Sequence, residues 1–239
     1  ASASAVHRDG EEITMTLADG EQISADRLLV AVGRRPLTDD LGLETVGLPG
    51  GVIEVDDHLH VPDQPWLYAI GDVNGRSLLT HSGKYQARMA ADHILGEDAA
   101  VSSDGPGAPR VVFTDPQVAA VGLTLEAARQ AGIAADAIDL PTSGTAGGSF
   151  YGRGEPDTTR FVIDSDRELL VGATFVGAQV AELLHAATIA IVAEIPLATL
   201  AHAVPAFPTR SELWLKFLET YETQQGHSVH CRRAGTFST

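Results

Sequence analysis

Cysteine is nearly absent from the 239-residue sequence, which contains one, Cys231. A single cysteine cannot form a disulfide within the chain, and it cannot form a redox-active cysteine pair. This cysteine usage is typical of a reducing compartment, and the first residues show neither the basic nor the apolar segment of a secretion signal. We therefore expect a cytoplasmic protein.

Basic residues are also scarce, since 16 Lys and Arg against 32 Asp and Glu give a net charge of −16. Such a surface repels phosphate backbones and anionic lipids, so we expect neither nucleic acid nor a membrane as a partner. Long apolar runs are missing as well. The most apolar region, 169–202, is interrupted by Glu182, His185 and Glu194, and it lacks the roughly 20 apolar residues of a transmembrane helix.

Metal motifs are missing too, because the nine histidines show no ligand spacing and no CxxC or HExxH occurs. We expect no metal site. His185 lies among apolar residues of a predicted helix, and we interpret it as a structural residue rather than a ligand. The hydrophobic fraction of 44% is ordinary for a globular protein with a core.

The first part of the chain has strand and turn patterns. Residues 13–17 alternate between apolar and polar, and Asp19-Gly20 is typical of a hairpin. The apolar run 28–32 predicts a buried strand that ends at Gly33. A hairpin that leads into a buried strand usually completes a sheet whose other strands come from elsewhere.

Two further strands are predicted at 52–55 and 66–70, and the second ends at Gly71-Asp72. A helix is predicted over 82–95, with Gly96 after its last turn. Residues 97–109 have the composition of a linker.

After the linker the pattern is that of a compact α+β unit, with two long helices on one side of a sheet. The predicted strands are 111–113, 118–121, 160–163 and 169–176. The predicted helices are 124–129 with Thr124 as N-cap, 179–193, and a last one from Pro208 to about Tyr221. The Gly-, Ser- and Thr-rich segment 141–154 predicts a loop or hairpin.

Two strand-ending segments are the most specific motifs: VAVGRRP at 30–36 and YAIGDV at 68–73. Together with VFTDPQV at 112–118 and GATFVG at 172–177, they resemble the pyridine nucleotide–disulfide oxidoreductases, a family of FAD flavoproteins. The resemblance covers about residues 12–222, with the motifs in the family's order.

The resemblance implies an α/β plus α+β fold, in which the carboxyl-terminal part of a Rossmann-like FAD/NAD(P)-binding domain precedes a dimerisation domain. The implied regions are the end of the NAD(P)-binding domain at 1–35, the second part of the FAD-binding domain at 36–107, the dimerisation domain at 108–223 and a flexible tail at 224–239.

The resemblance also places flavin contacts at Gly33, Gly71, Asp72, Leu79 and Thr80. Asp72 would accept a hydrogen bond from a ribityl hydroxyl, and the backbone N–H of Thr80 would donate to the flavin at the positive end of a helix. Each of these features has a plainer interpretation, because Asp after Gly is typical of a turn, Gly33 suits a tight turn, and a helix can begin without a ligand.

Phe207 is the main departure from the family pattern. The segment FPTRSE at 207–212 stands where the disulfide reductases have His-Pro-Thr-x-x-Glu, with a histidine that transfers protons. Phenylalanine cannot transfer a proton, so no catalytic residue is assigned here. Glu212 could orient such a group, but Thr209-x-x-Glu212 is also a capping box, which we favour.

The dinucleotide motif GxGxxG and the CxxxxC redox pair are both absent. In the family they precede the matched region. We therefore expect part of a homodimeric FAD-dependent oxidoreductase, inactive alone, in which hydride passes from NAD(P)H to flavin and then to an unknown acceptor. The alternatives are a dihydrolipoamide dehydrogenase-like disulfide reductase in the full-length protein and a non-catalytic dimerisation module.

Overall fold

A computed structural model describes residues 2–105, 107–151, 157–226 and 228–229. The chain forms two compact units, residues 1–37 and 38–239. Within the described ranges, no helix combines the length and the hydropathy that a membrane span requires. Cys231 and residues 230–239 of the predicted flexible tail lie outside the described residues.

The unit 1–37 contains an antiparallel sheet in which three strands follow one another in sequence order. The strands are β1 (Ala3–Asp9), β2 (Glu12–Leu17) and β3 (Gln22–Ala25). The predicted hairpin is confirmed, because Gly20 donates its N–H to the carbonyl of Leu17 at the turn between β2 and β3.

The predicted buried strand at 28–32 is wrong. These residues have no regular secondary structure, and the side chains of Leu29 and Val32 are 88% and 93% exposed. A strand needs a hydrogen-bonded neighbour, and none of β1 to β3 pairs with this segment. Apolar composition alone therefore does not form a strand here.

The unit 38–239 begins with irregular chain and one short hairpin. The first strands and the first α-helix of this unit are β4 (His60–Val61), β5 (Gln64–Tyr68) and α1 (Thr80–Ile94). The predicted strand at 66–70 and the predicted helix are thus confirmed, with shifted ends.

The predicted strand at 52–55 is also wrong. This segment is not part of a sheet, although Ile53 is buried and donates its N–H to the carbonyl of Val73 at 3.0 Å. A single bond to a turn replaces the ladder that the alternating pattern predicted.

Farther along the chain lies an antiparallel five-stranded sheet with the order β6-β7-β10-β9-β8. The strands are β6 (Arg110–Val112), β7 (Gln117–Gly122), β8 (Ala135–Leu140), β9 (Thr158–Asp164) and β10 (Leu169–Gly177). Four strands were predicted. The fifth, β8, was missed because its sequence ADAIDL is rich in alanine and aspartate, which are uncommon in strands.

Helices accompany this sheet: α2 (Leu125–Gln130), α3 (Leu184–Val192), α4 (Leu197–Leu200) and α5 (Glu212–Gln225). The predicted cap of α2 is confirmed, since the Thr124 hydroxyl accepts from the N–H of Ala127 at 3.1 Å. The predicted helix over 179–193 is shorter, because its first turn is a 3-10 turn at Val180–Leu183.

The two faces of the sheet bury different partners. Phe161 on β9 and Phe175 on β10 join the cluster that contains Phe217 of α5 and residues of α3. Val162, which follows Phe161 on β9, packs instead with Ala128 of α2. The period-2 alternation of strand side chains explains this division, and it places α3 and α5 on one face, as the sequence predicts.

Candidate functional site

Asp72 lies in a tight 3-10 turn, Gly71–Asn74, that follows β5. Gly71 has a φ of +76°, in the left-handed region that favours glycine, and Asp72 itself is exposed. The predicted Gly-Asp turn is therefore present, and it presents a carboxylate near the surface.

The helix α1 begins at Thr80, the second predicted contact. Leu79 precedes it in an extended conformation, and among the described residues no side chain caps the helix. The first N–H groups of a helix have no partner within the helix, and the macrodipole adds positive potential at this end. Thr80 is exposed, so this end of α1 is chemically suited to an electron-rich ligand edge.

The turn and the helix are packed directly against each other. A Cβ at Gly83 would lie 3.2 Å from the Cα of Gly71, so only a glycine fits comfortably in this turn of α1. Gln86 is fully buried, and its Oε1 accepts from the N–H of Gly71 at 2.7 Å. These contacts bring Gly71, Asp72, Leu79 and Thr80 into one local structure.

Sequence reasoning missed Gln86, although a signal was available. Gln86 falls on the same side of α1 as the buried residues Ser82 and Ala90, which are four residues away on either side. An amide on a buried helix face requires hydrogen-bond partners, so its position marks a polar contact.

Gly33 is placed in the other compact unit, in an exposed stretch without secondary structure and with a φ of +134°. Its predicted contact with flavin stays a prediction. His81, in the first turn of α1, is exposed, and its Nε2 lies 2.6 Å from the carbonyl oxygen of Pro109.

The predicted capping box at Thr209 and Glu212 is wrong. The hydroxyl of Thr209 donates to the carbonyl of Ala206 at 2.6 Å, and a Glu212 carboxylate oxygen accepts from the N–H of Gly147 at 3.4 Å. The N-cap of α5 is Ser211, whose φ and ψ are helical rather than extended, so the box geometry does not form. Glu212 instead connects α5 to the loop that contains Gly147.

Phe207 is 77% exposed, and its neighbour in sequence, Ala206, lines an apolar groove of about 590 Å³. The groove contains Ile189, Val204 and Trp214 among its lining residues, and Val204 is 85% exposed. Exposed apolar surface of this kind is typical of an interaction face.

Arg210 is the charged group nearest to Phe207 in sequence. Burial lowers the pKa of its guanidinium from the usual value, and the guanidinium carbon lies 5.1 Å from the ring centre of Tyr151. Its contact with an aromatic face compensates part of the lost hydration.

His185 is exposed on α3, and its interpretation as a structural residue rather than a ligand stays a prediction. Among the described residues, no group of three or more His, Cys, Asp or Glu is placed to hold a metal ion.

Two family models match the chain. Residues 1–91 match the pyridine nucleotide-disulphide oxidoreductase model, and residues 108–216 match the model for the dimerisation domain of the same family. The matches follow each other in the order that the sequence motifs predict.

Curated relatives agree with these matches. The dihydrolipoyl dehydrogenase of Thermus scotoductus is 34% identical over 229 residues, which are 93% of this chain and 49% of the relative. The dihydrolipoyl dehydrogenase of Halobacterium salinarum is 36% identical over 232 residues, 93% of this chain and 46% of the relative. The chain thus spans about half the length of these relatives.

Solved structures show the same fold. LpdA from Mycobacterium tuberculosis is 27% identical with a TM-score of 0.76, over 87% of this chain and 46% of that one. The Cu(II) complex of RclA from Escherichia coli, an HOCl-induced flavoprotein disulfide reductase, is 25% identical with a TM-score of 0.75, over 90% and 49% of the two chains.

The expected fold class, a FAD/NAD-binding part followed by a dimerisation domain, is confirmed by these findings. The members of the matched family are FAD- and NAD-dependent oxidoreductases. With both family models matched in sequence order, the chain belongs to the pyridine nucleotide–disulphide oxidoreductase family.

Proposed function

We propose that the chain is part of a FAD-dependent NAD(P)H oxidoreductase, to which it contributes flavin contacts and the dimerisation domain. The observation that supports this most directly is the N-terminus of α1, which packs beside the Asp72 turn and has no side-chain cap in the part of the chain that the structure describes. Bound FAD would supply the transfer of two electrons from NAD(P)H to an acceptor.

The residues present fit a flavin by their chemistry. Asp72 offers an exposed carboxylate that accepts hydrogen bonds from hydroxyl groups. The N–H of Thr80 and the positive end of α1 favour a ligand edge that gathers negative charge. Leu79 positions that N–H through its extended conformation, and Gly71 permits the turn.

A spectrum and a titration test this proposal. The purified chain is examined for a flavin absorption band, and FAD binding is then followed by flavin fluorescence for the wild type, Asp72→Asn and the control Asp166→Asn, an exposed acid in the turn between β9 and β10. We expect Asp72→Asn to raise the Kd about tenfold or more, because hydrogen bonds to charged groups contribute about 1.5–3 kcal/mol. If the wild-type chain binds no FAD at concentrations up to about 100 μM, flavin binding by this chain is contradicted.

The residue at position 207 supports a proposal for the class of electron acceptor. Phe207 cannot exchange protons, and the Glu212 carboxylate is engaged by Gly147. We therefore propose an acceptor that needs no protein acid–base group at this position, such as a quinone, a metal ion or a second nicotinamide nucleotide.

The printed names of the relatives favour a second candidate, a dihydrolipoyl dehydrogenase activity in the full-length protein. Turnover of NADH and NADPH with a quinone and with lipoamide by the full-length protein separates the two. A quinone rate that exceeds the lipoamide rate supports the first candidate. The reverse result, with a further gain in Phe207→His, supports the second.

We also propose that residues 108–223 form a homodimer, and that Val204 and the adjacent groove lie in its interface. The high exposure of Val204 and Phe207 in the single chain supports this assignment. Light scattering after gel filtration is expected to give a dimer for the wild type and for Val6→Glu, but a monomer for Val204→Glu. A monomeric wild type would refute the dimer.

A further inference from the structure

A buried polar network connects the Gly71–Asn74 turn to the segment 97–109 that the sequence identifies as a linker. Gln86 is 0% exposed and Asn74 is 4% exposed, so both amides need internal partners. Gln86 Oε1 accepts from the N–H of Gly71 at 2.7 Å and from Asn74 Nδ2 at 3.0 Å. The amide of Asn74 also donates to the carbonyl of Ala69.

The other end of Gln86 is held by Asp104. Gln86 Nε2 donates to Asp104 Oδ2 at 2.8 Å, and the Asp104 side chain is only 1% exposed. Arg76 balances this buried carboxylate with two hydrogen bonds, from Nε at 2.9 Å and from Nη2 at 3.0 Å. Arg76 also reaches the exposed carboxylate of Asp57 at 2.9 Å.

The donor and acceptor inventory of these groups fixes the orientation of the Gln86 amide. An ionised carboxylate only accepts hydrogen bonds, so the side of Gln86 that faces Asp104 must be its NH₂ group. The carbonyl oxygen of Gln86 then faces Gly71. Only this oxygen can accept a hydrogen bond from the N–H of Gly71, because the NH₂ group is a donor. If residue 104 offered a donor, its contact would favour the reverse orientation, in which the NH₂ group of Gln86 would face the N–H of Gly71 and the amide of Asn74.

We propose that Asp104 is a positioning residue for the candidate flavin turn, and that it acts through Gln86 on the backbone N–H of Gly71. The inference rests on the proposed function in one respect, which is that the turn carries Asp72 to a flavin. It makes Asp104, which lies in the predicted linker, part of the cofactor site, because this buried acid determines how the turn is held. The Arg76 guanidinium holds that carboxyl group in place, because it donates one hydrogen bond to each of its two oxygens.

The first test measures the stability of the Gly71–Asn74 turn in the absence of flavin. Amide hydrogen exchange at Gly71 is measured by NMR on the full ¹⁵N-labelled chain for the wild type, Asp104→Asn and Asp57→Asn. Asp57→Asn is the matched control, since it removes the partner of the same arginine on the solvent side. We expect Asp104→Asn to accelerate exchange at Gly71 about tenfold, as for a lost buried hydrogen bond, and Asp57→Asn to change it less than about twofold.

A double variant that exchanges the donor and the acceptor distinguishes the proposal from a general loss of folding. Gln86→Glu alone places a second carboxylate against Asp104 and is expected to accelerate exchange at Gly71. In the double variant Gln86→Glu/Asp104→Asn, the introduced amide can donate to the introduced carboxylate, which still accepts from Gly71. We expect the double variant to restore the exchange rate to within about threefold of the wild type. A double variant that fails to restore it, or an Asp104→Asn rate within about twofold of the wild type, overturns the proposal.

FAD titration of the same variants separates this inference from the proposed function. We expect the Kd for FAD to rise about tenfold in Asp104→Asn, to return in the double variant, and to stay within about twofold in Asp57→Asn. If the wild type binds no FAD while exchange at Gly71 follows the expected pattern, the proposed flavin binding by this chain fails and the network stands. If the wild type binds FAD and Asp104→Asn leaves its Kd unchanged, Asp104 does not position the flavin turn.

Discussion

Two segments of this chain begin with the same three residues and have different structures. Leu28-Leu29-Val30 opens an apolar run in the unit 1–37, and Leu169-Leu170-Val171 opens β10 in the unit 38–239. Leu29 is 88% exposed, whereas Leu170 is 2% exposed. The intrinsic preference for strand is the same, so the difference must come from the surroundings of each segment.

The surroundings differ in hydrogen-bonded neighbours. The strand β10 lies between β7 and β9, with antiparallel partners along both edges. The run 28–32 pairs with none of the strands of its own unit. A strand is therefore a property of the sheet that contains it, and a correct local pattern can predict a strand that a particular polypeptide cannot complete.

Truncating the second leucine of each triplet should produce the largest difference. Leu170→Ala is expected to lower the free energy of unfolding by about 2–5 kcal/mol, because it leaves a cavity in the main core. Leu29→Ala is expected to change it by less than about 0.5 kcal/mol, because the side chain is already hydrated. Urea unfolding followed by tryptophan fluorescence measures both, and similar losses would show that residues 28–32 are buried in solution.

The close approach of β10 to its neighbour gives a second test. A Cβ at Gly172 would overlap the carbonyl oxygen of Leu123, whereas one at Gly107 would make an ordinary contact of 3.6 Å with the Cα of Gly122. We expect Gly172→Ala to destabilise the protein by about 1–3 kcal/mol through overpacking.

Gly107→Ala is the control for that substitution, and we expect it to be close to neutral. Thermal unfolding followed by circular dichroism would compare the two variants. Equal midpoint temperatures for Gly172→Ala and Gly107→Ala would mean that β7 and β10 separate at this point more easily than their register indicates.

The cap of α2 is the third test, on a feature that needs no distant partner. Thr124→Ala removes the oxygen that accepts from the N–H of Ala127, and it should cost about 1 kcal/mol. Thr124→Ser keeps the hydroxyl and should recover most of the loss. If serine and alanine destabilise equally in urea unfolding, the methyl group rather than the cap stabilises this turn.

The features that the sequence predicts correctly have local signals. The Thr124 cap, the hairpin before β3 and the Gly71-Asp72 turn each lie within a few residues of the groups that form them. The family motifs also predict that Asp72 and Thr80 lie on either side of a short connection, and their contacts with flavin stay predictions.

The features that the sequence does not predict join residues that are far apart. Gln86 meets Asp104 across 18 positions, and Gly147 donates to Glu212 across 65. In the second case the distant N–H replaces the capping box that the local spacing favours. No short-range pattern indicates which of two acceptable partners a carboxylate will take, since both satisfy the same inventory of donors and acceptors.

The smallest expected effect is at the edge of the five-stranded sheet, where Arg160 of β9 makes two hydrogen bonds of 2.7 Å to the Asp139 carboxylate of β8. The hydrogen bonds from Arg160 lower the pKa of Asp139. The pair therefore stabilises the fold fully at pH values above the pKa of an unfolded aspartate, about 3.9. This contribution is lost as the pH falls through the lowered pKa of Asp139. Both side chains are about half exposed, so we expect Asp139→Asn to cost only about 0.5 kcal/mol at pH 7 and almost nothing near pH 2. Arg160→Gln should cost a similar amount, and the double variant should lose no more than either single variant if the loss comes from the pair. Urea unfolding at the two pH values measures all three, and a loss that persists at pH 2 would assign the effect to strand packing instead of charge.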